Sequence, residues 1–403
     1  MIPRLRPAFG LGELTAAIRP GSPADVEAFE RDFAARFEAA EGVAFPYGRA
    51  ALAAFLQAVG LKDAEVIAPS YTCVVVQHAT VLSGNVPRFV DNTLTDYNMD
   101  LDQVAAAISE RTGAIVATHL FGFPLDLDRL HAIVRDAEQR FGRKIWVIQD
   151  CAHSFGARWQ GRLVCREGDT ALFGLNISKV LSSIFGGMLT FNDAALAATV
   201  RAWRDAHLTP AGGLKPALRL AYLAATYPAF HSLPYGFVHW LQYKTSVLDR
   251  LTKAYHLDEA IRFPPDAGER MLPIEARVGR VQLAKYDALV AARRANAAHY
   301  TEALQGIPGW VLPPLVEGAT WSHYPVRVPD RDAAVRHFAG HGVHVGEVVE
   351  YSVAHLPSYA QWAAGQELPN ALLCSRHMIN LPVHPQLTEA ERARVVAAAR
   401  GRA

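Results

Sequence analysis

Lys144-Ile-Trp-Val-Ile-Gln-Asp-Cys-Ala-His153 is an apolar run that stops abruptly at Asp150. It reads as a buried strand with a carboxylate at its end. A second short apolar segment follows, Ala171-Leu-Phe-Gly-Leu175, then Asn176-Ile-Ser-Lys179, then Phe185-Gly-Gly-Met-Leu-Thr-Phe191. Upstream, Glu65–Ala68, Val86–Val90 and Ala114–Thr118 read as strands of the same near-continuous apolar kind, which suits a sheet covered on both faces. Helical patterns at Val74–Leu82, Leu101–Ile108 and Leu127–Arg140 separate them. The alternation predicts an α/β domain with a mostly parallel sheet.

Two helices are expected before this domain's first strand, over Asp25–Ala40 with Phe29, Phe33 and Phe37 on one stripe, and from Tyr47 to about Val59. After the sheet, residues 207–265 interrupt the rhythm with an aromatic, proline-rich stretch that reads as an inserted helical subdomain. Two uses stay open for it: packing or dimer surface, or a substrate or membrane-surface contact through residues 217–243. Glu275–Leu304 is a long helical connector that ends near Gly306 and Pro308. Beyond it, His323–Val328 and Val343–Val345 read as strands, and Asp332–Ala339 and Thr388–Ala399 as helices. The expected organisation is a large α/β domain over residues 1–270 and a connector with a smaller α+β domain over 271–403.

Bulk properties narrow the function. With 403 residues, 51% hydrophobic and 20% charged, the chain can bury a large core. A formal net charge of +1 gives no bulk attraction to nucleic acid. Cys73, Cys151, Cys165 and Cys374 are widely spaced, which reads as reduced thiols in a cytoplasmic protein. The 16 histidines form no metal-ligand spacing, so no metal is expected. The N-terminus shows no apolar signal region. The most apolar stretch, 217–241, is broken by Arg219, Pro228, His231, Pro234 and His239, too many breaks for a plain membrane span.

The chemistry concentrates at Asp150 and Lys179. A lone lysine on a turn is ordinarily a surface residue, and a strand-end acid ordinarily caps a turn. Together, at one end of a sheet, they suit a cofactor with a basic ring nitrogen and an aldehyde, which is pyridoxal phosphate. A desolvated lysine has a depressed pKa and a nucleophilic amine. A buried carboxylate holds a proton on the ring nitrogen. Asn176 and Ser178 offer hydrogen bonds beside the lysine, and Gly186-Gly187 allows a close backbone approach. His153 is either a structural histidine or a ligand of the ring substituent. Gly48-Arg-Ala-Ala51 opens a helix, where free amides and the dipole favour a phosphate.

In order along the chain these segments resemble the DegT/DnrJ/EryC1/StrS family of pyridoxal-phosphate-dependent sugar aminotransferases, of fold type I. Tyr47-Gly-Arg-Ala-Ala-Leu52 is similar to the SGTAAL phosphate loop, and Glu65–Cys73 to the DEVI.PS.TF segment. Thr118–Asp126 is similar to VHLYG.P.DMD, and Asp150-Cys-Ala-His153 to EDAAQ/H. Lys179 with Gly186-Gly187 stands where the family has its Schiff-base lysine and glycine pair. Arg270–Leu283 is similar to the YRM…AA.GL.QL helix, and Asn380–Thr388 to LSLP.HP.LT. The resemblance implies that Lys179 holds the cofactor, Asp150 pairs with its ring nitrogen, His153 approaches its phenolic oxygen, and Gly48, Arg49 and Ala50 cradle its phosphate. It also implies a homodimer, an amino-acid donor (glutamate) and a keto acceptor, a nucleotide-linked ketosugar.

Three departures bear on the pocket. Cys73 replaces an aromatic that stacks on the cofactor, Gly174 replaces a phosphate-binding serine, and Gly268 stands where an asparagine reaches into the partner's site. Asn176, Ser178 or Arg49 are candidates to replace the lost serine. A sister branch that removes a sugar hydroxyl has histidine in place of the lysine, and Lys179 argues against it. Two rivals remain: amination of a non-sugar or lipid-linked ketone, and a cofactor-binding regulator without turnover.

Overall fold

A computed structural model describes residues 1–244, 260–347 and 349–401. Part of the expected 207–265 insertion, residues 245–259, lies outside the described residues. The strands in chain order are β1 Glu41–Phe45, β2 Glu65–Pro69, β3 Val86–Val90, β4 Thr112–Thr118 and β5 Trp146–Asp150. A two-residue hairpin, β6 Arg158–Trp159 and β7 Arg162–Leu163, follows. Then come β8 Thr170–Gly174, β9 Gly187–Phe191, β10 Tyr324–Arg327 and β11 Met378–Leu381. The main sheet has seven strands in the order β1-β9-β8-β5-β4-β2-β3. Strands β3, β2, β4, β5 and β8 run parallel, and β9 and β1 complete one edge antiparallel.

The parallel strands are apolar on both faces because helices cover both. They are α1 Leu11–Ile18, α2 Pro23–Arg36, α3 Gly48–Ala58, α4 Val74–Leu82, α5 Leu101–Ala107, α6 Leu127–Phe141 and α7 Ala194–His207. The predicted phenylalanine stripe of α2 packs inward: Phe33 lies 4.9 Å from Phe173 of β8, ring centre to ring centre, and Phe37 stacks on the same ring at 5.2 Å. On the other face, Leu52, Phe55 and Leu56 of α3 pack against Val66, Val116, Ile148 and Leu189. The sheet is therefore locked between two apolar layers.

Two helices occupy the described part of the insertion, α8 Lys215–Ala229 and α9 Ser232–Lys244. The connector is one 31-residue helix, α10 Pro273–Ala303, with Pro273 at its start and Glu275 accepting from the Leu272 amide at 2.9 Å. After it, β10 and β11 pair antiparallel, flanked by helices Arg331–Gly340 and Glu389–Ala399. Val343–Val345, expected as a strand, is not one. It makes isolated bridges, Val343 to Ile2 and Gly346 to Asn380, because the N-terminal segment lies alongside it. Conversely β1 and β11 are strands the apolar pattern does not single out. Among the described residues no helix is long and apolar enough to cross a membrane, and no cluster of His, Cys, Asp or Glu could hold a metal. All four cysteines are free.

Candidate active site

Strand register sets the site. Thr118 is opposite Asp150, and Asp150 opposite Leu172, so β4, β5 and β8 end at one edge. In open α/β sheets the carboxyl edge is where ligands bind. Five residues beyond β8, a turn in which Lys179 N donates to Asn176 O at 3.1 Å carries the lysine back over that edge. A Cβ built on Gly174, the last residue of β8, would sit 3.5 Å from Lys179 Cε and 3.8 Å from Ala152 Cβ. Lys179 and the Asp150 loop thus face one another across Gly174.

Asp150 is only 5% exposed. Its Oδ1 accepts from the Ala152 amide at 3.1 Å and its Oδ2 from Thr118 Oγ1 at a long 3.4 Å. Among the described residues no cation forms an ion pair with it. Burial pushes its carboxyl above the ordinary aspartate range, against the Ala152 amide, Lys179 and Thr118. Lys179 is half-buried, and desolvation lowers its ammonium below the ordinary lysine value, opposed by Cys73 and Asp150. A buried carboxylate short of a partner and a lysine biased toward its neutral amine form a matched pair.

His153 is buried, with its ring stacked on Phe121 at 6.4 Å and accepting from the Phe121 amide at Nδ1. His323, which no sequence motif marked, lies 4.6 Å from it, ring centre to ring centre. Desolvation first, then Lys179, holds both imidazoles well below their usual pKa, so both are neutral near pH 7. Phe121 itself has φ of 60°, an uncommon left-handed conformation for an aromatic residue.

The helix α3 begins at Gly48, and among the described residues no side chain caps it. A helix start of this kind favours an anion. A Cβ at Gly48 would lie 3.5 Å from Gly174 Cα, so this helix end adjoins the Lys179 turn. Arg49 donates to the Arg262 carbonyl at 3.4 Å, and Ala50 is buried. Asn176 Oδ1 accepts from both the amide and the hydroxyl of Ser178, at 2.9 and 2.6 Å. Cys73 precedes α4, and beside it the Tyr351 hydroxyl accepts from the Val74 amide at 3.1 Å.

The glycine pair also has a packing role. A Cβ at Gly187 would lie 2.6 Å from the Tyr47 carbonyl and the Gly48 nitrogen. Gly186 has φ of 146°, and its Cβ would strike Met271 Cε and Ser183 Oγ. Both glycines admit neighbouring protein, and Gly187 holds β9 tightly under the start of α3. Gly187→Ala is expected to lower stability by about 1–3 kcal/mol through overpacking, read as a shifted urea midpoint with an unchanged slope.

Sequence reading also missed a buried polar network beside the α3 end. Arg219 of α8 donates to Glu275 Oε1 at 2.8 Å, to Asp266 Oδ2 at 2.8 Å and to the Tyr47 hydroxyl at 3.0 Å. Tyr47 in turn donates to Asp266 Oδ1 at 2.7 Å. This network ties the insertion to the residue that opens α3.

The sequence pattern of the DegT/DnrJ/EryC1/StrS aminotransferase family matches residues 19–215 and 242–400. The chain belongs to this family. Its gap, residues 216–241, coincides with most of α8 and α9. Relatives in the family include GDP-perosamine synthase of Caulobacter vibrioides, 28% identical over 92% of this chain and 88% of that protein. Another is dTDP-3-amino-3,4,6-trideoxy-alpha-D-glucose transaminase of Micromonospora megalomicea, 29% identical over 93% and 88%. The structure of DesV from S. venezuelae, solved with a ketimine intermediate, superposes with a TM-score of 0.74 over 96% of this chain and 94% of that one, at 26% identity. The fold is that of the fold type I pyridoxal-phosphate transferases, and the family is one of aminotransferases dependent on that cofactor.

Proposed function

We propose that this chain is an aminotransferase that uses pyridoxal phosphate to move an amino group from glutamate to a nucleotide-linked ketosugar. The observation that carries the reading is Asp150, a buried carboxylate with no cation bonded to it among the described residues, whose loop meets Lys179 across Gly174. The residues present fit the cofactor. Lys179 would hold its aldehyde end, Asp150 its ring nitrogen, and the start of α3 at Gly48, Arg49 and Ala50 its phosphate. Cys73, His153, Asn176 and Ser178 would complete its surroundings. Bound there, pyridoxal phosphate supplies a carbonyl that carries the migrating amine and a ring that accepts an electron pair.

The chain's residues supply the rest. Lys179, whose ammonium is held below its ordinary pKa, would take a proton from the donor's α-carbon and return it one position away. Asp150 keeps a proton on the ring nitrogen by charge-assisted hydrogen bonding. Neutral His153 and His323 add no competing positive charge beside the amine. The relatives named for nucleotide sugars support the acceptor class. The chain would work as a homodimer.

One observation favours a second acceptor. Every exposed residue from Leu214 to Trp240 is apolar. Leu233, Phe237 and Trp240 form an outward stripe on α9, at 97%, 64% and 51% exposure. No Asp or Glu occurs from 206 to 248. Such a patch marks an interaction surface and suits a lipid-linked ketone presented at a membrane. Loading the protein with cofactor, converting it to the amine form with glutamate and offering ketones decides between the readings. Return of the original absorption with a nucleotide-linked ketosugar is expected. Return only with a lipid-linked ketone selects the second reading, and return with neither overturns both.

A further inference from the structure

Next to the Lys179 turn is a cavity lined by Arg4, Ser178, Arg293, His323, Asn380 and His384, among others, and no carboxylate lines it. Arg293 of α10 is 7% exposed. Its Nη1 donates to the Ser322 carbonyl at 2.9 Å, while its Nε has no partner among the described residues. Among the described residues it forms no ion pair, and desolvation brings its pKa down to about 10. A buried guanidinium without a counter-charge is costly. Asn380 of β11 is 4% exposed, and among the described residues neither end of its side-chain amide has a partner. Arg4 packs against the same corner, where a Cβ on Gly346 would meet its Cδ at 3.2 Å and the Asn380 Cβ at 3.3 Å. Two arginines and an unspent amide thus surround a space that contains no acid.

We infer that this cavity binds the α-carboxylate of the amino donor, with Arg293 and Asn380 as its hydrogen-bond donors. The inference rests on the proposed transamination. Arginine presents a planar fork that matches a carboxylate, and the Asn380 amide adds an N–H donor. Position decides between anions. The cavity begins at Ser178, next to Lys179 in the chain, and at His323, whose imidazole feels the Lys179 charge. An α-carboxylate is separated from the transferred amine by one carbon, whereas a sugar nucleotide's phosphates are separated from its keto carbon by the sugar ring. An anion bound here must sit close to the reacting nitrogen, as an amino acid's carboxylate does. Asn380 also departs from the family's LSLP pattern, which has serine at that place, so the contact is a feature of this chain.

Glutarate, a dicarboxylate without an amine, is the probe. It is titrated calorimetrically into the full chain, with and without cofactor, for the unaltered protein, Arg293→Gln, Arg293→Lys and Asn380→Leu. The expected result is saturable binding that weakens at least tenfold in Arg293→Gln and in Asn380→Leu, with partial recovery in Arg293→Lys. Cofactor colour should persist in all of them. Equal affinity in every protein overturns the inference. So does a loss confined to a nucleoside diphosphate offered in a parallel titration, which would assign the cavity to the acceptor. Should Arg293→Gln fail to fold, as judged by circular dichroism, Asn380→Leu alone decides. Failure of the unaltered chain to take up cofactor refutes the proposed function, and the cofactor-free titration still reads the anion site.

Discussion

Lys179→Arg is expected to abolish the yellow colour of the cofactor-loaded protein and to reduce turnover by at least about 10²–10⁴-fold, the range for a positioned proton-transfer group. Arginine keeps a positive charge over Gly174, so Asp150 retains a cation nearby and the fold should survive. The lost property is a neutral amine, because a guanidinium does not deprotonate in proteins. Lys179 supplies that amine at lower pH than an ordinary lysine because its ammonium is desolvated. Borohydride treatment of the unaltered protein should therefore fix the cofactor to a single lysine, identified by peptide mapping as Lys179. A label on another lysine, or full colour in the arginine variant, would remove the basis of the proposed function.

Much of this arrangement is legible in the sequence because it is local. The parallel strands are apolar runs closed by turns, and both Asp150 and Lys179 follow such runs closely enough to be placed at their ends. What escapes is set by distant packing. β1 is legible only through its antiparallel partner, β9, and Gly42 within it is required because a Cβ there would lie 2.6 Å from the Glu30 carbonyl of α2. Val343–Val345 has strand composition but meets the N-terminal segment, so it forms single bridges. His323 opens a strand and belongs to no motif, yet it touches His153 from 170 positions away. Arg293 sits in an Arg-Arg pair on a long helix, which reads as a solvated face until the helix is seen to be covered. Arg219, Asp266 and Glu275 are each ordinary surface residue types, and only the fold joins them under Tyr47. The packing at the glycine pair is equally hidden, since Tyr47, Met271 and Ser183 reach it from distant segments.

Asp150→Asn separates the two uses a buried acid can have. The carboxyl is raised above its unfolded value of 3.8, with burial the largest cause. Between that value and the raised one the folded chain holds more protons than the unfolded chain, so stability falls as pH rises through the window. Above it the ionised, unpaired carboxylate is a standing cost. In the cofactor-free protein the neutral asparagine should therefore be at least as stable as aspartate at pH 7 by urea unfolding. With cofactor the order should reverse, because the ring nitrogen's proton provides the missing counter-charge. Turnover should fall by about 10²–10⁴-fold, the range for a group that controls a proton in the reaction, because the asparagine no longer holds the ring nitrogen's proton, while some cofactor is still retained through Lys179 and the start of α3. A merely structural acid would behave oppositely: the asparagine variant would lose stability without cofactor and keep near-normal rates with it.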